Sequence, residues 1–312
     1  MVAAQADSQD DYDFCIGNLP EGLNVSATNE PPTGLGELDY LSLKQDVDQF
    51  GLAGKIWQSA YMLQSYFSPA WRTNTTPAPP IPSEYCLDNN DNQDTTIPSK
   101  PFRIVELGAG TGYVGIWLAK MLRRPTEIYI TDLEQVLPLI RDNVTTHYHP
   151  QHPDTSTTVH VQRLHWGNKE DINTLLADGP IDLVIVSDCV YFPELFELLT
   201  TTLQEICNPT TKVVIGYKCR SLEKEAGFWQ DYFGRFFDYE PVWKLIPETD
   251  QEEQQQEQGL EKDCNDKKLV QGGMLGEEEQ VYIFVGSKRP EGQIKAADDT
   301  FTTLLFCNIM DI

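Results

Sequence analysis

The run Phe102-Arg103-Ile104-Val105-Glu106-Leu107-Gly108-Ala109-Gly110-Thr111-Gly112 constrains the fold more than any other stretch of the chain. It starts as a short apolar segment and turns through three alternate glycines. It then enters Tyr113-Val114-Gly115-Ile116-Trp117-Leu118-Ala119-Lys120-Met121-Leu122, where apolar residues recur at helical spacing. The local expectation is a buried strand, a tight turn and a helix. Glycine lets such a turn take positive φ and lets a ligand approach the main chain. The unpaired N–H groups at the helix start can hold a polar or anionic group.

Glycine corners also occur where nothing binds, so the surroundings decide. The dinucleotide fingerprint G-x-G-x-x-G/A fits poorly, because Tyr113 stands at its last position. What stands is G-x-G-x-G with Glu106 two residues ahead of it. Glu127-Ile128-Tyr129-Ile130-Thr131-Asp132 then reads as a second strand ending in an acid. A carboxylate about 20 residues past the turn, at the end of the next parallel strand, can accept both hydroxyls of a ribose. These features predict a nucleoside-containing cofactor. The missing third glycine and the Glu-Leu-Gly run look like S-adenosylmethionine binding rather than nicotinamide binding.

The chain has 312 residues, 40% of them hydrophobic, enough for one sizeable core with appendages. Its formal charge is −25 and unevenly spread. Residues 1–50 hold ten acids and one lysine, and residues 248–279 hold eleven acids and three lysines. Such a surface repels nucleic acid and anionic membranes and attracts a basic partner. The seven cysteines form no C-x-x-C pair and are odd in number, which argues for reduced thiols and against a zinc site. Neither a secretory signal nor a run long enough to span a bilayer is seen, so the expected compartment is the cytoplasm.

Residues 1–50 read as an acidic, largely disordered segment, with a strand or two near Tyr40-Leu41-Ser42-Leu43. Residues 51–289 read as the main domain, with insertions at 73–100 and 248–279, and residues 290–312 as a loose tail. Ile56, Trp57, Ala60, Tyr61, Leu63, Tyr66 and Phe67 recur at helical spacing. Most of these are core positions. Trp57, in the first turn, could equally reach past the helix end to a cofactor. A helix is expected over Glu134 to Val144, followed by a loop carrying His147, His149 and His152. No carboxylate or thiolate stands at matching spacing, so no metal is assigned. Thr158 to Leu164 reads as a third strand, after which Trp166 either flanks an aromatic base or caps the sheet edge. Ile181-Asp182-Leu183-Val184-Ile185-Val186-Ser187 reads as a central buried strand. Asp188 at its exit is costly unless paired or solvated, which favours a site including Ser187, Asp188 and Tyr191. Beyond it, the patterning gives helix 193–206, strand 212–217, helix 223–237, strand 239–245 and a last strand over 281–287. The acidic insert would be the lengthened loop of a hairpin.

With these pieces placed, the chain resembles the class I, seven-strand, S-adenosylmethionine-dependent methyltransferases, and within them methyltransferase family 16, the protein-lysine methyltransferases. Gly54-Lys55-Ile56-Trp57, the glycine run, Ile130-Thr131-Asp132, Leu164-His165-Trp166-Gly167 and Asp188-Cys189-Val190-Tyr191 carry the likeness. Tyr129 to Ile140, Ser187 to Phe192 and Gly216-Tyr217-Lys218-Cys219-Arg220 resemble the fungal lysine methyltransferases acting on translation elongation factor 1A. The resemblance implies a Rossmann-like α/β sheet of order 3-2-1-4-5-7-6, last strand antiparallel, with helices on both faces. It implies that Trp57, Gly108, Ala109, Gly110, Asp132, Trp166 and Ser187 line S-adenosylmethionine, and that Asp188 and Tyr191 contact the target lysine. A monomer acting on a basic protein is expected, elongation factor 1A foremost. A methyltransferase for a chaperone or small molecule, or a cofactor-binding module without activity, are the alternatives. An ionised Asp188 beside an amine would raise its pKa, so Asp188 is expected to orient the ammonium or hold the loop, with water taking the proton.

Overall fold

The near-continuous apolar runs form strands, and their side chains alternate between two cores. The computed structural model describes residues 40–87, 98–123, 125–150, 157–248 and 269–307. The main sheet comprises β1 (Phe102–Leu107), β2 (Thr126–Asp132), β3 (Thr158–Arg163), β4 (Leu183–Ser187), β5 (Lys212–Lys218), β6 (Phe237–Pro241) and β7 (Val281–Lys288). Their order is β3-β2-β1-β4-β5-β7-β6, with β7 antiparallel to both neighbours and the first five strands parallel. The expected order 3-2-1-4-5-7-6 is therefore found.

Strand period two sends Ile104, Ile128, Ile130, Ile185 and Val214 into one core. There α1 (Gln58–Phe67), α2 (Tyr113–Met121) and α3 (Leu137–His147) cover them. Val105, Tyr129, Val184, Val186 and Ile215 face the other core. There α4 (Lys169–Leu176), α5 (Phe196–Ile206) and α6 (Leu222–Gly227) lie. Burial on both faces is what a parallel sheet requires. Helix α3 begins at Leu137 rather than Glu134, with Pro138 in its first turn, where the missing N–H costs nothing.

Several expectations are corrected. No strand forms at Tyr40 to Leu43. That segment instead packs on the domain, with Leu43 buried and the Leu41 N–H donating to the Tyr113 hydroxyl at 3.3 Å. The stretch 73–87 is not a loose insertion: Ile81 and Tyr85 are buried, and Thr75–Thr76 pairs with Trp243 and Lys244. The Asp88 to Asp94 run lies outside the described residues.

The strand expected at 239–245 is two strands in different sheets. Phe237–Pro241 closes the main sheet, and Trp243–Pro247 enters a three-stranded sheet with Thr75–Thr76 and Leu269–Met274. Pro241 has no N–H with which to continue a ladder. Leu269–Met274 and the turn Glu277–Glu279 also shorten the acidic insert expected at 248–279; its part 249–268 lies outside the described residues.

The helix expected at 223–237 passes from α6 into a π-helical turn, Phe228–Phe233, that buries Phe228, Trp229 and Phe233 together. The tail is not loose. Helix α7 (Thr300–Cys307) buries Phe301 completely, its ring stacked on Trp229 with centroids 4.9 Å apart. A fully buried phenylalanine of this kind contributes about 1.5–3 kcal/mol.

Candidate active site

The parallel strands deliver their following loops to one edge of the sheet, the carboxyl edge, where α/β folds collect ligands. The turn after β1 sits in the middle of that edge. At Gly108, φ is +61°, and a Cβ would lie 2.9 Å from Cys189 Sγ and 3.0 Å from Trp166 Cζ2. The turn is thus pressed against the loops that follow β3 and β4. At Gly110, φ is +57°, and a Cβ would lie 2.9 Å from the Ala53 carbonyl oxygen. The segment leading into α1 closes the opposite side. Between them, the Ala109 N–H donates to the Thr131 carbonyl at 3.0 Å, tying the turn to β2.

Asp132, at the end of β2, is 8% exposed. Its carboxylate accepts the Gly110 N–H at 2.7 Å on one oxygen and the Leu133 N–H at 2.7 Å on the other. Burial pushes its carboxyl up to about 6 against those two bonds, and no Lys or Arg among the described residues is paired with it. Two carboxylate oxygens offer about four acceptor positions, so about two remain for hydroxyl donors. A buried acid with acceptor capacity, beside a turn too close-packed for side chains, fits a nucleoside cofactor. Glu106, one strand away, is engaged differently. It accepts the Gly115 N–H at 2.8 Å, which fastens β1 to the start of α2, and burial pushes its carboxyl up to about 8.

Ser187 ends β4, half-buried and paired in register with Gly216 of β5. Asp188 follows at φ +58°, uncommon for a residue with a side chain, and its N–H donates to the Gly216 carbonyl at 2.8 Å. Its carboxylate is gripped by both terminal nitrogens of Arg220: Nη1 to Oδ1 at 2.7 Å and Nη2 to Oδ2 at 2.6 Å. The two side chains are 1% and 8% exposed. Removing either partner of such a buried pair would strand a charge. The guanidinium also stands 5.4 Å from the centroid of the Trp57 ring, and the Lys55 ammonium stands 5.0 Å from it. The Trp57 indole N–H donates to the Leu52 carbonyl at 3.0 Å, which fixes the ring at the head of α1. Tyr191 leans on Phe192, centroids 4.7 Å apart, with its phenol pushed up by burial and then by Cys189, Asp132 and Asp188.

All nine residues singled out in the sequence lie along this edge. The structure joins Gly108 to Trp166, Gly110 to Asp132, and Trp57 to Asp188 through Arg220. Arg220, Cys189 and Ala53 were assigned no part. The available signal for Arg220 was physical: an acid leaving an apolar strand needs a counter-charge, and Arg220 follows the neighbouring strand. Among the described residues no group of three or more His, Cys, Asp or Glu could hold a metal, and His152 lies outside them. Cys189, Cys207 and Cys219 are free thiols. No helix among the described residues is long and apolar enough to cross a membrane.

The chain is 26% identical over 198 residues to the protein-lysine N-methyltransferase EFM6 of Saccharomyces cerevisiae, covering 59% of this chain and 70% of that one. It is 27% identical to the EEF1A lysine methyltransferase 3 of Xenopus tropicalis, over 62% of this chain and 69% of that one. To the protein N-lysine methyltransferase METTL21A of Danio rerio it is 28% identical, over 63% and 74%. The family model described as lysine methyltransferase matches residues 37–232, more than half of the chain, and spans every site residue named above. This protein belongs to the lysine methyltransferase family.

Proposed function

We propose that this protein transfers a methyl group from S-adenosylmethionine to a lysine of another protein, translation elongation factor 1A. The observation that carries the reading is the contrast along one sheet edge. A buried carboxylate with acceptor capacity, Asp132, lies beside the glycine turn, and a loop bearing Asp188 and Tyr191 opens next to it. The name of the frog relative supports the substrate, and that of the yeast relative supports transfer to a protein lysine.

Asp132 would accept the ribose hydroxyls, and the bare backbone at Gly108, Ala109 and Gly110 would let the cofactor lie against the turn. Trp57 and Trp166 would flank it, with Ser187 at the floor. When bound, S-adenosylmethionine supplies a methyl group on a good leaving sulfur. The chain's own contribution is positioning and exclusion of water. Tyr191 would give the acceptor side chain an aromatic wall that favours its cationic form on approach. Asp188, already committed to Arg220, would shape the loop, and the proton from the amine would pass to water. The acidic surface suits a basic protein partner and disfavours nucleic acid and anionic membranes. A cytoplasmic monomer fits this reading.

The test is transfer of labelled methyl from S-adenosylmethionine to purified elongation factor 1A, with an Hsp70-type chaperone alongside. Label on a lysine of the elongation factor is the expected result. Label only on another protein of a whole extract would keep the enzyme and remove this substrate. Cofactor binding with no label anywhere would replace the reading by a cofactor-binding interaction module.

A further inference from the structure

If the site takes a lysine, as proposed above, the charge around Asp188 decides how readily that lysine becomes a nucleophile. A free lysine has a pKa of about 10.4 and must lose its proton to attack. A carboxylate standing alone beside it would raise that value by about 1–3 units and hold it as ammonium. Asp188 does not stand alone. Each of its oxygens accepts one N–H of Arg220, at 2.7 and 2.6 Å, inside the protein, so its charge is paired.

The groups facing this pair come from every neighbouring element. Lys55, before α1, is pushed down by burial and then by Arg220. Lys218, at the end of β5, is pushed down by burial and then by Arg220, with Glu279 and Asp188 pulling the other way, and its ammonium donates to the Glu279 carbonyl. Glu225 of α6 accepts the Tyr217 hydroxyl at 2.6 Å and the Arg220 backbone N–H at 3.1 Å. Burial keeps Cys189 and Tyr191 protonated, and Asp132 is further round the edge. Two resident lysines therefore already feel Arg220 as a repelling charge, and a visiting lysine would meet the same field.

We propose that Arg220 is a positioning residue of the methyl-transfer site: its guanidinium fixes Asp188 at the substrate loop and cancels the carboxylate's charge, so that an entering lysine is not held protonated. The amine gives its proton to water, its lone pair forms the new N–C bond, and the C–S bond breaks with its electrons on sulfur. Arg220 touches none of these atoms and acts through Asp188.

The test uses the full-length protein as wild type, Arg220→Met, Arg220→Lys, Asp188→Asn and the double variant Asp188→Asn with Arg220→Met. Single-turnover transfer to purified elongation factor 1A is followed across about pH 6.5 to 10, around the pKa of a lysine. Calorimetric titration with S-adenosylmethionine reads the cofactor half separately. Arg220→Met is expected to move the acid limb of the rate profile up by about one pH unit or more, so that its deficit shrinks at high pH. Asp188→Asn is expected to move the limb down, and the double variant to return it toward wild type. Arg220→Lys is expected to keep the limb in place with a lower rate, since it keeps the charge and loses the two-pronged grip. If Arg220→Met does not fold, a downward shift in Asp188→Asn beside an unmoved limb in Arg220→Lys still decides. A deficit equal at every pH, or an upward shift in Asp188→Asn, in a wild type that methylates lysine, would overturn the role of Arg220 alone. A wild type that labels no lysine would overturn the functional reading and this role with it.

Discussion

Asp132 and Asp188 lie at the carboxyl ends of the two strands flanking β1, and the two halves of the molecule treat them in opposite ways. In the β1–β3 half, Asp132 is held only by two backbone N–H groups, and burial lifts its carboxyl to about 6. In the β4–β7 half, Asp188 is charge-paired with a buried guanidinium that itself rests over Trp57. The first arrangement leaves capacity for a ligand. The second neutralises the carboxylate inside the protein and holds a loop at an uncommon φ. A buried acid at a sheet edge is thus not one kind of object, and its partners decide whether it binds or builds.

The largest effect should come from breaking the second half. Asp188→Ala is expected to lower turnover by roughly a hundredfold, because a loop displaced by an ångström loses that much. Full activity in it would remove Asp188 from the site. In the same half, Phe301→Ala should lower the unfolding free energy by about 3 kcal/mol in urea titration while leaving cofactor affinity alone. An unchanged midpoint would detach the tail from the aromatic core.

The first half is sharpened by pH. If an ionised Asp132 receives the ribose, affinity for S-adenosylmethionine should fall by up to about tenfold per unit as pH drops below about 6. A flat profile from pH 7 to about 5 would remove Asp132 as acceptor. A separate effect, on stability alone, belongs to Glu106. Its folded carboxyl, near 8, lies above the ordinary unfolded value, so the native state keeps a proton that the unfolded chain releases. That contribution is complete in acid and fades as pH rises through about 8. Glu106→Gln should therefore lose stability less steeply than wild type between about pH 5 and 8, and parallel curves would refute the assignment.

The β1–β3 half was the legible half. Its turn is marked by glycines, and its acid falls at a fixed distance along the chain. The other half depends on partners far apart in sequence. Nothing local in 239–245 tells that the chain changes sheets after Pro241, because the choice is made by Ile283 and Leu275, which bond to Val242. Nothing in the tail tells that Phe301 fills the space beside Trp229, because that space is created by the π-helical turn. The Asp188–Arg220 pair spans 32 residues and two strands, and only the requirement that a buried charge be paired pointed to it.

If the two carboxylates have different duties, one side-by-side calorimetric titration with S-adenosylmethionine separates them. Asp132→Ala should bind the cofactor at least about tenfold more weakly than wild type, the loss of two hydroxyl hydrogen bonds. Asp188→Ala should bind it nearly as wild type does. Unchanged affinity in Asp132→Ala, or an equal loss in both variants, would contradict that division of duties.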